Sequence, residues 1–341
     1  MATSMPVHFS HGQPPPSPAV SSELRFILSF DVEEHFRIEA AAKLVVEPSL
    51  RSHYGDRLEP STHWLLEKLA EFEQRATFFI VGQIARQQPK LIRAIHQAGH
   101  EVASHSWDHR RVHHFTPAAF REDVRQSKDA LEQVTGEAVC GYRAPTFSIL
   151  RETAWALDEL AELGLSYDSS IYPVRHDRYG IHAAPRGPFL ARGYRHAILE
   201  LPPATLRLFG VNAPMGGGGY FRLCPLWLTE WAMRQTGRVG ASSLATLYFH
   251  PWEFDPQQAR LPLGLLSRLR TYVGLRRTRG RLASLLARYR FQRAVDMAKK
   301  LNHRREDLPC FALVGSRDDA EPMAEASRLR SEPIVTRVNE L

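Results

Sequence analysis

Cysteine is scarce in this chain: Cys140, Cys224 and Cys310 stand far apart among 341 residues, odd in number and without a C-x-x-C pair. That excludes a disulfide framework and a thiolate zinc site. Long apolar runs are missing as well. No stretch reaches the roughly 18 residues of a membrane-spanning helix, and Met1 to Ser22 has no apolar core of signal-peptide length. Cytoplasmic residence is the expectation that follows, with a position peripheral to the inner membrane left open. No internal repeat is evident. Nor does one sign of charge dominate, since 44 Lys and Arg stand against 37 Asp and Glu. Much of the net charge of +7 comes from the segment Arg268 to Arg293. Nucleic acid is therefore not expected as a partner, and an anionic surface or polymer is favoured only mildly.

What is present suits an ordinary soluble globular protein. With 43% hydrophobic and 24% charged residues, the chain can bury a large core. Residues 1–22, rich in Pro, Ser and His, read as a disordered leader and 316–341 as a flexible polar tail. Between them lies one folded domain, 23–315, with a basic helical extension from about residue 256. Its apolar Leu282, Leu285, Leu286, Tyr289 and Phe291 predict a core-facing helix with a solvated basic side.

Strand and helix signals alternate. Leu24 to Phe30 predicts a strand, Thr62 to Gln74 a helix capped by Ser61, and Ala76 to Val81 a strand. Helix Pro89 to Gln97 is followed by strand Glu101 to Ser104. Thr116-Pro117 opens a helix that Gly136 closes, ahead of strand Val139 to Tyr142. Helix Thr153 to Leu163 leads into Ser166-Tyr167-Asp168. From Gly180 to Gly219 the alternation lapses around a strand at Ala197 to Leu201. It resumes with helix Pro225 to Thr236 and strand Ala245 to Phe249. This pattern predicts a parallel sheet with helical crossovers, as a barrel or an open sheet.

Chemistry-bearing residues sit at the ends of these strands. Leu28-Ser29-Phe30-Asp31-Val32-Glu33-Glu34-His35 places Asp31 and Glu33 on one side of a strand by period two. One of them could ligate a metal while the other acts as a base. His105-Ser106-Trp107-Asp108-His109 follows a strand, and two imidazoles four apart in a helical turn can serve one cation. Two His and a carboxylate leave coordination positions free for water and substrate. Arg143, before Pro145, can pair with Asp31 and hold it ionised. Asp168 ends another strand, and His250 ends the last, where it can serve as a general acid. Trp107, Tyr172, Tyr220 and Trp252 are candidates for stacking on sugar rings.

These five segments, in this order from about Arg25 to Asp255, resemble the polysaccharide deacetylase family, carbohydrate esterase family four. The family's opening Thr-Phe-Asp-Asp-Gly is here Ser29-Phe30-Asp31-Val32-Glu33, with the ligand displaced by one position and changed to Glu. That variant, the Gly216 to Gly219 run with Tyr220-Phe221-Arg222, and His250-Pro251-Trp252-Glu253 are similar to the branch associated with exopolysaccharide export and exosortase clusters. The resemblance implies a distorted, seven-stranded (β/α) barrel. It implies Asp31 as base, oriented by Arg143; Glu33, His105 and His109 as metal ligands, with Glu34 or Asp168 as substitutes for Glu33; and His250 as acid. Thr146, Asp168, Tyr220 and Trp252 are expected at the substrate. The metal is expected to be divalent, zinc foremost and cobalt, nickel or manganese next. The implied reaction is removal of N-acetyl groups from an exopolysaccharide or its lipid-linked precursor. Its alternatives are cyclic-amide hydrolysis on the same fold and glycan binding without turnover. Exopolysaccharide assembly machinery at a membrane surface is the expected further partner.

Overall fold

The backbone of Phe26 to Val32 is buried on both sides, which is why this strand reads as a nearly continuous apolar run: it lies in the middle of a parallel sheet. A computed structural model describes residues 24–176, 178–239 and 243–314. The expected leader, 1–22, and tail, 316–341, lie outside the described residues. Strands are β1 Arg25–Val32, β2 Thr77–Ile80, β3 Glu101–Ser104, β4 Gly141–Tyr142, β5 Tyr167–Asp168, β6 Phe189–Arg192, β7 Ala197–Glu200, β8 Thr205–Leu208, β9 Val211–Pro214, β10 Leu244–Phe249, β11 Phe291–Gln292 and β12 Cys310–Ala312. Helices are α1 Pro48–Glu71, α2 Gly82–Gln87, α3 Pro89–Gln97, α4 Pro117–Thr135, α5 Trp155–Glu162, α6 Gly218–Leu223, α7 Leu226–Thr236, α8 Leu265–Tyr272, α9 Leu275–Arg288 and α10 Ala294–Asn302.

The sheet order is β10-β1-β2-β3-β4-β5-β7, all parallel, so the seven-stranded expectation is met by this run. Beyond it, β6 joins β7 antiparallel, β12 extends β6, and β11 pairs with the start of β1. Between β7 and β10 the barrel has a seam, crossed among the described residues by the bridges Pro203 to Thr246 and Gly217 to Tyr248. The Gly216 carbonyl accepts from Tyr248 N–H at 2.8 Å. A Cβ on Gly217 would lie 1.6 Å from the Tyr248 carbonyl oxygen, so only glycine permits this approach.

Period two separates the faces. Phe26, Leu28, Phe30 and Val32 pack outward into the main core, whereas Ile27 joins Phe79, Ala103, Tyr167, Leu199 and Leu244 in an inner cluster with Met297, Ala298 and Leu301 of α10. Ala294 N–H donates to Thr77 Oγ1 and Val295 N–H to a Glu101 carboxylate oxygen. Helix α10 thereby closes the end of the barrel where β2 and β3 begin, opposite the strand ends that carry the polar residues. The region after residue 256 is more than a basic extension, because β11 and α10 complete the barrel. Leu282, Leu285 and Leu286 face the core as expected.

Helix α1 departs from expectation by starting 14 residues earlier, at Pro48, and running through Pro60. Ser61 is interior to it and donates its hydroxyl to the Leu58 carbonyl. The N-cap reading of Ser61 misled because the helix continues through Pro60, whose missing N–H costs one bond that the apolar contacts of the long helix outweigh. Helix α4 is capped as its sequence indicates, by Thr116 Oγ1 on Ala119 N–H and by left-handed Gly136.

Gly141 is required by close approach rather than by its turn: a Cβ there would meet the Tyr167 ring at 2.1 Å. Gly141→Ala should cost about 1–3 kcal/mol in urea unfolding by overpacking. In a Tyr167→Leu background the same change should cost clearly less, which a double-mutant cycle reads as coupling.

Candidate active site

The inward period of β1 and β10, continued past their ends, delivers three of the expected side chains to one place. Asp31 belongs to the inward set of β1, with Glu33 two residues on; His250 follows inward Leu244, Thr246 and Tyr248. Asp31 and Glu33 are each 2% exposed. Arg143, just past β4, is fully buried and donates from Nη1 to Asp31 Oδ1 at 2.6 Å and to Ser29 Oγ at 2.8 Å. Its Nε and Nη2 donate to the Ser169 carbonyl and hydroxyl. Both hydroxyls in turn donate to backbone carbonyls, Ser29 to Leu247 and Ser169 to Leu201. The guanidinium lies 4.1 Å from the centre of the Phe79 ring. Asp31 is thus held in one rotamer by a cation that cannot turn away.

His105 and His109 converge without a helical turn. Ser106 and His109 are left-handed, with φ of 68° and 66°, and the loop is pinned by Gly82 and Gln83 N–H on the Ser106 and Trp107 carbonyls. Trp107 N–H donates to Asp123. One donor atom each from Glu33, His105 and His109 lies within 4.8 Å of the others. His105 Nδ1 is 2.7 Å from the Arg143 carbonyl, which can only accept, so Nδ1 carries the proton and the Nε2 lone pair faces Glu33 Oε2 at 3.9 Å. Two electron-rich atoms confront one another, and Glu33 Oε2 receives no aligned hydrogen bond although His109 Nε2 touches it. Burial holds His105 neutral, down at about 4. Burial raises Glu33, but His109 beside it and the charge of His250 outweigh this and hold the carboxyl at about 2. A neutral imidazole, its second nitrogen tied to a carbonyl, and a buried carboxylate with an unsatisfied oxygen suit a divalent cation. Glu34 is directed elsewhere, accepting from Arg37 at 2.5 Å.

His250 Nε2 lies 4.0 Å from Asp31 Oδ2 and 3.7 Å from Glu33 Oε1. Its Nδ1 is 2.8 Å from Glu253 Oε1, and its backbone N–H donates to the same oxygen. Arg222 of α6 pairs with the other Glu253 oxygen. Burial lowers His250, yet the hydrogen bond to Glu253 and the charges of Glu33, Glu253 and Asp31 push it up to about 9. For Glu253 burial acts upward, and the Arg222 and His250 charges bring it below the ordinary carboxylate value. Neither Glu253 nor Arg222 was singled out from sequence for this role. The available signal was the three-residue spacing of His250 and Glu253 at a strand end.

A cavity of about 220 Å3 encloses the group, lined by Asp31, Glu33, His105, His109, His250 and Glu253 together with Thr146, Phe147, Tyr179, Tyr248 and Trp252. Thr146 and Phe147 adopt left-handed backbone, with φ of 56° and 52°. Two expectations are corrected. Asp168 does not reach the cavity: it is fully buried beside Glu200 and bonded to Ser170 Oγ, and burial pushes it up to about 6. Tyr220 stands exposed on α6, outside the lining. Tyr172 is buried behind the wall formed by Phe147 and Tyr248, and Trp107 packs against Gly82.

A family model described as polysaccharide deacetylase matches residues 52–167, and one described as a domain of unknown function (DUF3473) matches residues 169–299. A peptidoglycan-N-acetylglucosamine deacetylase of Bacillus cereus is 26% identical over 96 residues, 28% of this chain and 35% of that protein. A chitooligosaccharide deacetylase of a Bradyrhizobium strain is 30% identical over 97 residues, 28% of this chain and 42% of that protein. The matched segment spans less than half the length of these curated relatives. A Mycobacterium smegmatis structure assigned as a polysaccharide deacetylase superposes with a TM-score of 0.55 at 20% identity, covering 87% of this chain and 96% of that one. Puue allantoinase superposes with a TM-score of 0.56 at 17% identity, covering 88% and 98%. These structures share the curled α/β barrel. Residues 52–167 are thus similar to the polysaccharide deacetylase family, and the fold is the one its structures share.

His105→Ala and His109→Ala should each abolish stoichiometric uptake of a divalent cation, read by equilibrium dialysis with elemental analysis. Glu33→Gln should weaken it, whereas Glu34→Gln should leave it intact.

Proposed function

We propose that this protein is a metal-dependent hydrolase that removes N-acetyl groups from N-acetylated sugars of a bacterial exopolysaccharide or its precursor. One observation carries the reading: an arginine-held carboxylate and a carboxylate-held imidazole face each other across the Glu33, His105 and His109 donor set. A divalent cation held by those three residues, zinc foremost on ligand type and cobalt, nickel or manganese next, would supply Lewis acidity to the acyl carbonyl and acidify water. Asp31 takes the proton of the attacking water on Oδ2, the oxygen that Arg143 leaves free. His250, charged because Glu253 holds its Nδ1, gives its Nε2 proton to the departing amine as the carbon–nitrogen bond breaks. The amine and acetate are the products. The backbone N–H of Thr146, at a left-handed turn in the cavity wall, is assigned to the developing oxyanion. Trp252, Tyr248 and Phe147 offer apolar faces to a sugar ring.

The exopolysaccharide assignment is supported by the match to DUF3473, a domain characteristic of that branch. Contact with the inner membrane or its assembly machinery is supported by α8, which exposes Leu265, Leu266 and Leu269 beside Arg268 and Arg270.

Wild-type protein should release acetate from N-acetylglucosamine oligomers and should not open the ring of allantoin. Asp31→Asn should lose about 10²–10⁴-fold in kcat, and an unchanged kcat would overturn the assignment of the base. Activity should also fall at alkaline pH as His250 loses its proton. That limb should lie at or below about 9, since a cation at Glu33 acts to lower it. Glu253→Gln removes the group that favours imidazolium, so the limb should move down toward the ordinary value of about 6.5.

A further inference from the structure

His109, Thr146, Glu39 and Ala40 line the catalytic cavity and also a second groove of about 730 Å3, so the two spaces adjoin. Ligand sites commonly enclose about 300–1,000 Å3. At about 220 Å3 the catalytic cavity has room for the reacting sugar, and the adjoining groove offers room for a further part of a substrate.

The groove is markedly cationic. Arg37, Lys43, Arg51, Arg110, Arg111 and Arg178 line it, against the carboxylates of Glu39 and Asp108. Several of these charges already have work within the fold. Arg110 bonds Asp108 at 2.7 Å, Arg111 pairs with Glu39, and Arg37 ties Glu34, Gln83 and the Asp108 carbonyl together. Lys43 and Arg51 have no carboxylate partner among the described residues; Arg51 donates to the Val46 carbonyl and lies over Phe36. Arg178 faces Arg111 with like charge. Positive charge gathered beside an enclosed site repels itself, and a bound anion offsets that cost.

We propose that this groove receives an anionic group, carboxylate or phosphate, carried by the glycan next to the sugar whose acetamide enters the catalytic cavity. The substrate is then an anionic glycan rather than a neutral polymer. This rests on the deacetylase reading for the contents of the cavity, while the binding preference itself does not require turnover. Two sources supply the same chemistry: uronic acid residues within a polymer, and the diphosphate of a lipid-linked sugar.

The test is calorimetric titration of full-length Asp31→Asn protein, with His250→Gln as a second inactive background in case the first does not fold. The probes are chitotetraose, a tetrasaccharide alternating N-acetylglucosamine with glucuronic acid, and N-acetylglucosamine 1-diphosphate. At least one anionic probe should bind about tenfold or more tightly than chitotetraose at low ionic strength, with the advantage shrinking as salt screens the groove. The tighter of the two anionic probes identifies the source. Combined Lys43→Gln and Arg51→Gln, which touch no catalytic group, should remove most of the advantage and weaken chitotetraose far less than the anionic probe. Equal affinity for neutral and anionic probes, or a preference that survives both substitutions, would overturn the proposal. Failure of the wild-type protein to release acetate from any glycan would instead overturn the deacetylase reading, with the anion preference standing.

Discussion

The buried guanidinium of Arg143 is the interaction around which the upper barrel is built. It reaches from the end of β4 to Asp31 and Ser29 on β1 and to Ser169 beyond β5, over the Phe79 ring of β2. A fully buried cation needs such a shell, because its desolvation cost is recovered only when hydrogen bonds and an anion surround it. The Arg143 backbone carries a second duty, since its carbonyl fixes the His105 tautomer. One residue therefore sets the charge and aim of the base and the lone-pair direction of a ligand imidazole.

Across the cavity the same logic runs with the signs reversed. A cation holds the Asp31 carboxylate, whereas an anion, Glu253, holds the His250 imidazolium, and Arg222 in turn neutralises Glu253. The alternation of charges lets a base and an acid stand 4.0 Å apart in opposite protonation states. Left to burial alone, His250 would be driven toward neutrality and would have no proton to give.

Much of this was legible from period two. The inward set of β1 runs through Asp31 to Glu33, so strand periodicity placed those two on one side, whereas His250 was legible only as a residue at the end of the last strand. The helical turn invoked for His105 and His109 was wrong in form, because two left-handed residues and anchors from α2 and Asp123 shape that loop, and none of these is a local signal. Asp168 ends a strand just as Asp31 does, but its neighbour is Glu200 across the sheet. Only tertiary pairing reveals that it is a buried carboxylate sharing hydrogen bonds rather than a substrate contact. Arg222 and Glu253 escaped notice for the same reason: their meaning lies in a contact between residues 31 apart.

The seam between β7 and β10 explains how that contact arises. A regularly paired barrel would place a strand beside β10, filling its free edge with ladder hydrogen bonds. Here, among the described residues, the edge receives only Pro203 and Gly217, and the missing side chain of Gly217 lets the chain pass against the Tyr248 carbonyl before turning into α6. That helix presents Arg222 to Glu253 from outside the barrel wall. Regular pairing at the seam would occupy the space through which Arg222 reaches Glu253, and it would leave the Glu253 carboxylate without the cation that holds it below its ordinary range. The irregular region that interrupts the strand and helix alternation therefore supports the residue proposed as the acid, and it comes from the half of the chain that does not carry the proposed base.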